Sequence, residues 1–152
     1  MAKIEVLVGS TYGNAEEAAL ACADVLAAQH TVEVHKQANL TELAAKDFDV
    51  LLVCTATIGM GEFPDNLADF YQQLTEASPS WAGKAYGVIA LGDSGYDDFA
   101  NAGILMDERL SELGLMRVGE VCYIDACDSP DAVEPVLDWL QNWQPDLEQY
   151  LA

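Results

Sequence analysis

The chain reads as an α/β protein with five parallel strands in the order 2-1-3-4-5 and helices on both faces of the sheet. Three observations predict this. Short apolar runs of strand length alternate with stretches whose apolar residues recur every three or four positions, as in the crossover units of parallel sheets. The first, third and fourth runs are almost continuously apolar, as strands covered on both faces must be, whereas the second and fifth are mixed, as edges are. Segments rich in glycine, hydroxyls or amides follow the first, third and fourth runs, at the carboxyl ends that meet at the switch point of this strand order.

Element by element, the first strand covers residues 3–9, around Ile4 and Val6-Leu7-Val8. The first helix carries its stripe on Ala15, Ala18, Ala19, Cys22 and Leu26. The second strand, residues 31–36, alternates Val32 and Val34 with Glu33 and His35. The third, residues 48–55, holds Val50-Leu51-Leu52-Val53-Cys54 and leads to a helix with Leu67, Phe70, Tyr71 and Leu74 on one face. The fourth, residues 85–91, holds Val88-Ile89-Ala90-Leu91; its helix carries Phe99, Ala102, Gly103, Met106, Leu110 and Leu113, and Gly114 follows as a C-terminal stop. The fifth strand, residues 117–125, is interrupted by Glu120. The last helix begins near Pro130 or Pro135 and carries Val136, Leu140, Trp143 and Leu147; Pro145 is expected to kink or end it. These stripes are core faces.

The length of 152 residues fits one domain spanning 1–152, and a 51% hydrophobic composition is too apolar for a disordered acidic chain. No apolar run approaches the length of a membrane span, and the first residues lack the shape of a signal peptide. There are 26 acids against 6 Lys plus Arg, a formal charge of −20. Such a surface repels nucleic acid and anionic membrane and complements a basic protein. Cys22, Cys54, Cys122 and Cys127 show neither zinc, thioredoxin-like nor iron–sulfur spacing, and the expectation is reduced thiols in the cytoplasm. Asn39-Leu40-Thr41 matches a glycosylation triplet without significance in that setting. His30 and His35 read as surface histidines flanking a strand.

The chemistry lies in the three loops. After the first strand, Gly9-Ser10-Thr11-Tyr12-Gly13-Asn14-Ala15-Glu16 opens a helix. Hydroxyls and backbone N–H groups at a helix N-terminus make a phosphate cradle, here with no cation in the loop. It has neither the Lys of a Walker loop nor the glycine spacing of a dinucleotide fingerprint. After the third strand, Thr55-Ala56-Thr57-Ile58-Gly59-Met60-Gly61 lets a backbone approach a flat ligand, and Pro64-Asp65-Asn66 starts the next helix. After the fourth, Leu91-Gly92-Asp93-Ser94-Gly95-Tyr96-Asp97-Asp98-Phe99 presents Tyr96 where a stacking ring is easier to explain than a core one. One phosphate site beside two loops offering glycines and an aromatic face suits FMN.

At these residues the chain resembles the flavodoxin family. The segment 9–16 resembles its phosphate loop, in the version found in FMN domains of diflavin reductases; 55–66 and 91–103 resemble the second and third loops. The resemblance covers nearly the whole chain and implies a flavodoxin-like three-layer α/β/α sandwich of the short-chain type. It implies that Ser10, Thr11, Gly13, Asn14 and Ala15, with the backbone of Tyr12, bind the phosphate. Thr55, Ala56, Thr57, Ile58, Gly59 and Gly61 would border the ribityl chain and inner flavin face. Tyr96 would stack on the outer face, flanked by Leu91, Gly92, Asp93, Asp97 and Phe99. Ile58 departs from the aromatic residue many members place there.

The resemblance further implies a monomeric low-potential carrier of single electrons. Its partners would be basic redox proteins, such as a flavodoxin/ferredoxin-NADP reductase, and an acceptor enzyme. No nucleophile with a neighbouring base and no metal cluster stands in the sequence, so the redox chemistry is the flavin's. Glu62, Asp65, Asp93, Asp97 and Asp98 lie on or beside the flavin loops. One carboxylate about 8 Å away, at an effective dielectric of about 20, disfavours an added negative charge by roughly 2 kcal/mol before screening. By resemblance, the Gly59–Met60 peptide turns its carbonyl toward flavin N5–H as the first electron arrives. The rival reading is an FMN-dependent NAD(P)H oxidoreductase on the same fold, for which no insertion builds a nicotinamide pocket. A receiver domain is discarded, because Ser10-Thr11 and Cys54-Thr55 stand where its acids would be.

Overall fold

The apolar runs become strands and the stripes become helices in the computed structural model of the chain, which describes residues 2–11, 13–58, 61–95, 99–128 and 131–152. The order is β1 (Lys3–Gly9), α1 (Asn14–Leu26), β2 (Thr31–His35), α2 (Leu40–Ala44), β3 (Val50–Ala56), α3 (Asp65–Glu76), β4 (Ala85–Gly92), α4 (Asn101–Glu112), β5 (Met116–Arg117), β6 (Cys122–Asp125) and α5 (Val133–Leu151). The sheet runs β2-β1-β3-β4-β5, all parallel, and β6 pairs β4 above β5. This is the expected 2-1-3-4-5 order with the fifth position divided.

Side chains alternate sides along each strand, so the sheet feeds two cores. On one face Ile4, Val6, Val8, Leu52, Cys54 and Ile89 meet Cys22 and Leu26 of α1 and Val136, Leu140, Trp143 and Leu147 of α5. On the other, Leu7, Leu51, Val53, Val88 and Ala90 meet α3 through Leu67, Phe70 and Leu74, and α4 through Met106 and Leu110. Gly103 of α4 lies so close to β4 that a Cβ on it would stand 2.3 Å from that of Ala90. At the end of α4, Gly114 takes φ +91°, and the N–H of Leu115 reaches back to the carbonyl of Leu110 at 3.2 Å, the C-terminal stop expected of it.

Three expectations change, and one at Pro135 holds. The fifth strand breaks at residues 118–121. Gly119 has φ +66°, and indole N–H groups from α5 take the carbonyls that would continue the strand: Trp143 bonds Val118 at 2.9 Å and Trp139 bonds Glu120 at 3.1 Å. Pro145 does not end α5, because Trp143 and Leu147 on either side of it are both buried and hold the helix against the sheet. The helix starts at Val133, as the expected start near Pro135 has it, and Pro135 sits in the first turn, where a missing N–H costs nothing. Finally, His35 is not a free surface histidine. Its Nε2 lies 3.1 Å from Oε1 of Glu5, a side chain only 7% exposed that Lys46 also reaches at 3.0 Å.

The short helix α2 was not expected. Leu40 and Leu43 bury its inner face, and the Asn39 side chain caps it by accepting the N–H of Glu42 at 3.1 Å. No helix among the described residues is long and apolar enough to cross a membrane.

Candidate functional site

Strand register sets the site. Gly9 pairs with Thr55, Ala56 with Leu91, and Gly92 with Asp125, so the carboxyl ends of β1, β3, β4 and β6 finish at one level. The loops that leave them are therefore neighbours. Gly9 has no room for a side chain, since a Cβ there would lie 2.3 Å from Oγ1 of Thr55.

The first loop closes on itself. The N–H of Gly13 donates to Oγ of Ser10 at 2.9 Å, and Gly13 enters α1 in the left-handed conformation at φ +94°. Gly13, the N-cap of α1, has no side chain to cap it, so among the described residues the amides of its first turn keep their donors for an outside acceptor. A side chain at Gly13 would point into open space, so nothing in the described residues crowds that turn. Thr11 and Asn14 are exposed beside it. Hydroxyls and uncapped amides at the positive end of a helix fit a phosphate group. The fold adds one cation that the loop sequence lacks: Lys36, following β2, brings its ammonium to 3.5 Å from Glu16 in the first turn of α1.

The second loop is closed by a short bridge. Ile58 and Glu62 form an antiparallel bridge with mutual bonds of 2.9 and 2.8 Å, and Gly61 takes φ +93° within it. Thr57 is tied on both sides: its N–H donates to the carbonyl of Leu91 at 3.1 Å, and its Oγ1 accepts the N–H of Ala102 at 3.0 Å. Thr57 thereby caps α4, which receives no cap from Ala100 at its own N-terminus. Thr55 is fully buried, and its hydroxyl is committed to the carbonyl of Ala56 at 2.9 Å. Ala56, Thr57 and Ile58 are half-buried, open to a ligand on one side.

The third loop turns at Gly92–Gly95. A Cβ on Gly92 would lie 2.5 Å from the backbone nitrogen of Ala100, which itself holds φ +56°. Asp93 Oδ1 accepts the N–H of Gly95 at 2.8 Å. Phe99 is half-buried, its ring 6.5 Å from the exposed ring of Tyr123 on β6. Leu91 is nearly buried beneath the turn.

The structure thus places Ser10, Thr11, Gly13, Asn14, Ala15, Ala56, Thr57, Ile58, Gly61, Gly92, Asp93 and Phe99 on adjoining carboxyl-end loops. Tyr12, Gly59, Tyr96 and Asp97, along with Met60 and Asp98, lie outside the described residues.

Sequence reasoning missed the side chains that stitch these loops together. Asn66, in the first turn of α3, accepts the N–H of Ser10 at 2.9 Å and donates to the carbonyl of Lys36 at 2.8 Å. Asn101 donates to the carbonyl of Gly61 at 2.9 Å. Both stand in the quoted loops, and an amide in a turn is the only local signal they give.

Charge is unevenly placed. Lys3, Lys46, Lys84, Arg109 and Arg117 lie at or toward the amino ends of the strands, where Lys84 bonds the Phe48 carbonyl, Arg109 the Leu74 carbonyl and Arg117 the Asp107 carboxylate. Lys36 alone of the six cations in the sequence stands at the carboxyl ends, and it faces Glu16. Glu17, Glu62, Asp65, Asp93 and Asp125 share that end.

Comparison with known proteins agrees with this architecture. The flavodoxin family model matches residues 6–139. Flavodoxin YqcA of Pectobacterium carotovorum is 36% identical over 144 residues, covering 94% of this chain and 95% of that protein. The NADPH–cytochrome P-450 reductase of Cavia porcellus is 31% identical over 120 residues, 79% of this chain but 17% of the reductase. A cysteine-to-alanine mutant of flavodoxin from Pseudomonas aeruginosa superposes with a TM-score of 0.90 at 38% identity, covering 96% of this chain and 99% of that one.

Proposed function

This chain belongs to the flavodoxin family, whose cofactor is FMN, and on that premise we propose that it carries single electrons from a basic reductase to an acceptor enzyme. One observation supports the reading above others: an uncapped helix N-terminus, lined by Ser10 and Thr11, sits level with two backbone turns at neighbouring strand ends. FMN supplies the electron-accepting ring when bound. The residues of this chain bind and orient it.

The amides of Asn14 and Ala15, with the Ser10 and Thr11 hydroxyls, hold the phosphate. Asn66 fixes the entry to that loop through the Ser10 N–H. Ala56, Thr57 and Ile58 on one loop and Gly92, Asp93 and Phe99 on the next would line the space for the ring. Asn101 holds the turn at Gly61. The carboxylates at the carboxyl ends oppose negative charge added to the ring and so favour a low potential. The same acids attract a basic partner to the end where electrons leave. Membership of a family of electron carriers supports a carrier role, with the redox chemistry belonging to the flavin.

The test is optical. The purified chain, or the apoprotein given FMN, should show flavin absorbance and quench free FMN fluorescence. Anaerobic titration with dithionite should then show a long-wavelength band that rises to half reduction and falls after it. Absence of FMN binding overturns the assignment. Direct loss of absorbance with no such band rejects single-electron transfer, and rapid bleaching by NADPH alone makes the protein an oxidoreductase.

A further inference from the structure

The turn that leaves β4 at Gly92 and runs to Gly95 borders the site. Its partners are Asp125, the last residue of β6, and the two residues that follow it. The N–H of Ala126 donates to the carbonyl of Gly92 at 2.8 Å. Oδ1 of Asp125 accepts two amides at once, those of Ser94 and Cys127, each at 3.0 Å. The Cys127 thiol, exposed on its outer side, donates to Oδ1 of Asp93 at 3.0 Å, the same oxygen that holds the Gly95 N–H.

Carboxylate oxygens of Asp93 and Asp125 and the Cys127 sulfur all lie within 4.8 Å of one another. Two carboxylates that close repel unless donors hold them. Here the donors are the Ser94 side chain, backbone amides and the Cys127 thiol, and they cross between, or brace, the two segments. Asp125 is held below the usual aspartate range by its bonds to Ser94 and Cys127, so its charge persists at neutral pH. The thiol of Cys127 is pushed up by Asp93, so it remains a donor. These groups have no role in the core. Asp125 is half-buried, and Ser94, Gly95 and Cys127 are exposed, so the bonds serve the turn rather than global packing.

We propose that the Asp125 carboxylate and the Cys127 thiol are positioning residues for the cofactor, clamping the Gly92–Gly95 turn so that it holds the geometry in which FMN packs against it. This rests on the FMN reading above. Neither residue need touch the cofactor. Each acts through Ser94 or Asp93.

The experiment is fluorescence titration of the full-length apoprotein with FMN, on the parent and four variants, alongside thermal unfolding of each apoprotein. Asp125→Ala removes two charge-assisted bonds and should weaken FMN binding about tenfold or more. Asp125→Asn keeps an acceptor oxygen and should recover most of that loss. Cys127→Ala should weaken binding about threefold, and Cys127→Ser, which still donates to Asp93, should restore it. Apoprotein melting should differ little between the members of each pair, which a purely structural role would not allow. A parent that binds FMN while both alanine variants bind it with parental affinity overturns the clamp and leaves the cofactor intact. Failure of Asn and Ser to rescue also overturns it. A parent that leaves FMN fluorescence unquenched overturns the cofactor reading itself, and the clamp with it.

Discussion

Cys127 is exposed while Cys22, Cys54 and Cys122 are buried, and burial pushes the Cys22 and Cys122 thiols up to about 12 and that of Cys54 well above its ordinary value. Burial both bars a reagent and withholds the reactive thiolate, so a disulfide reagent at about pH 8 should label exposed Cys127 alone in the native protein, slowly because Asp93 holds its thiol up, and all four only after denaturation. Labelling of two or more without unfolding would contradict the packing. The Asp125 carboxylate gives a pH dependence with a definite sign. Its folded value is depressed by the Ser94 and Cys127 bonds, so its contribution is complete above the usual aspartate range and disappears as pH falls through the depressed value. FMN affinity should therefore stay level from neutrality into the usual aspartate range and fall only below it, as a titration at stepped pH would show. Gly103 tests packing at the same scale. An added methyl would meet Ala90 at 2.3 Å with backbone at 3.1 Å behind it, so Gly103→Ala should cost about 1–3 kcal/mol in urea unfolding, where no loss would refute the close helix–strand contact.

Among the elements, β1, β3 and β4 were legible because strands covered on both faces must be apolar throughout, and such runs have few other readings. The edge character of β2 was equally plain from Val32 and Val34 alternating with Glu33 and His35. Helix α2 was not found, since five residues are too few to show a period, although Asn39 and Glu42 with Leu40 and Leu43 carried its cap and its buried face. The break between β5 and β6 depends on Trp139 and Trp143, which arrive from 19 and 25 residues away, and no local pattern announces them. The same holds for the site. Its loops were readable from glycines and hydroxyls, whereas their ties were not: Asn66 meets Ser10 across 56 residues, Asn101 meets Gly61 across 40, and Asp125 meets Ser94 across 31. The capping of α4 from another loop makes its own prediction. Thr57→Val keeps the shape but leaves the Ala102 N–H without its acceptor, and should cost about 1 kcal/mol in thermal or urea unfolding. An unchanged midpoint would mean that α4 does not depend on that bond.

At the scale of the molecule, a charge of −20 opposes its own compaction. Added salt should raise the melting temperature of the apoprotein from its value at low ionic strength, and a flat or falling trend would show that self-repulsion is unimportant here. Salt should act oppositely on function. Electron exchange with a basic partner should slow about tenfold or more as ionic strength rises from roughly 10 to roughly 500 mM, and indifference to salt would remove electrostatic docking. The unequal charge of the two ends, with Lys36 the one cation among the loop-end acids and five cations offsetting amino-end acids such as Asp107 and Glu112, has an effect that net charge alone does not capture. It gives the molecule a permanent dipole along the strand direction, so an external field exerts a torque as well as a pull. Near a cationic electrode or lipid film the protein should rotate to land loops-first before touching, and near an anionic one it should turn those loops away. Heterogeneous electron transfer would then switch on or off with the sign of the surface.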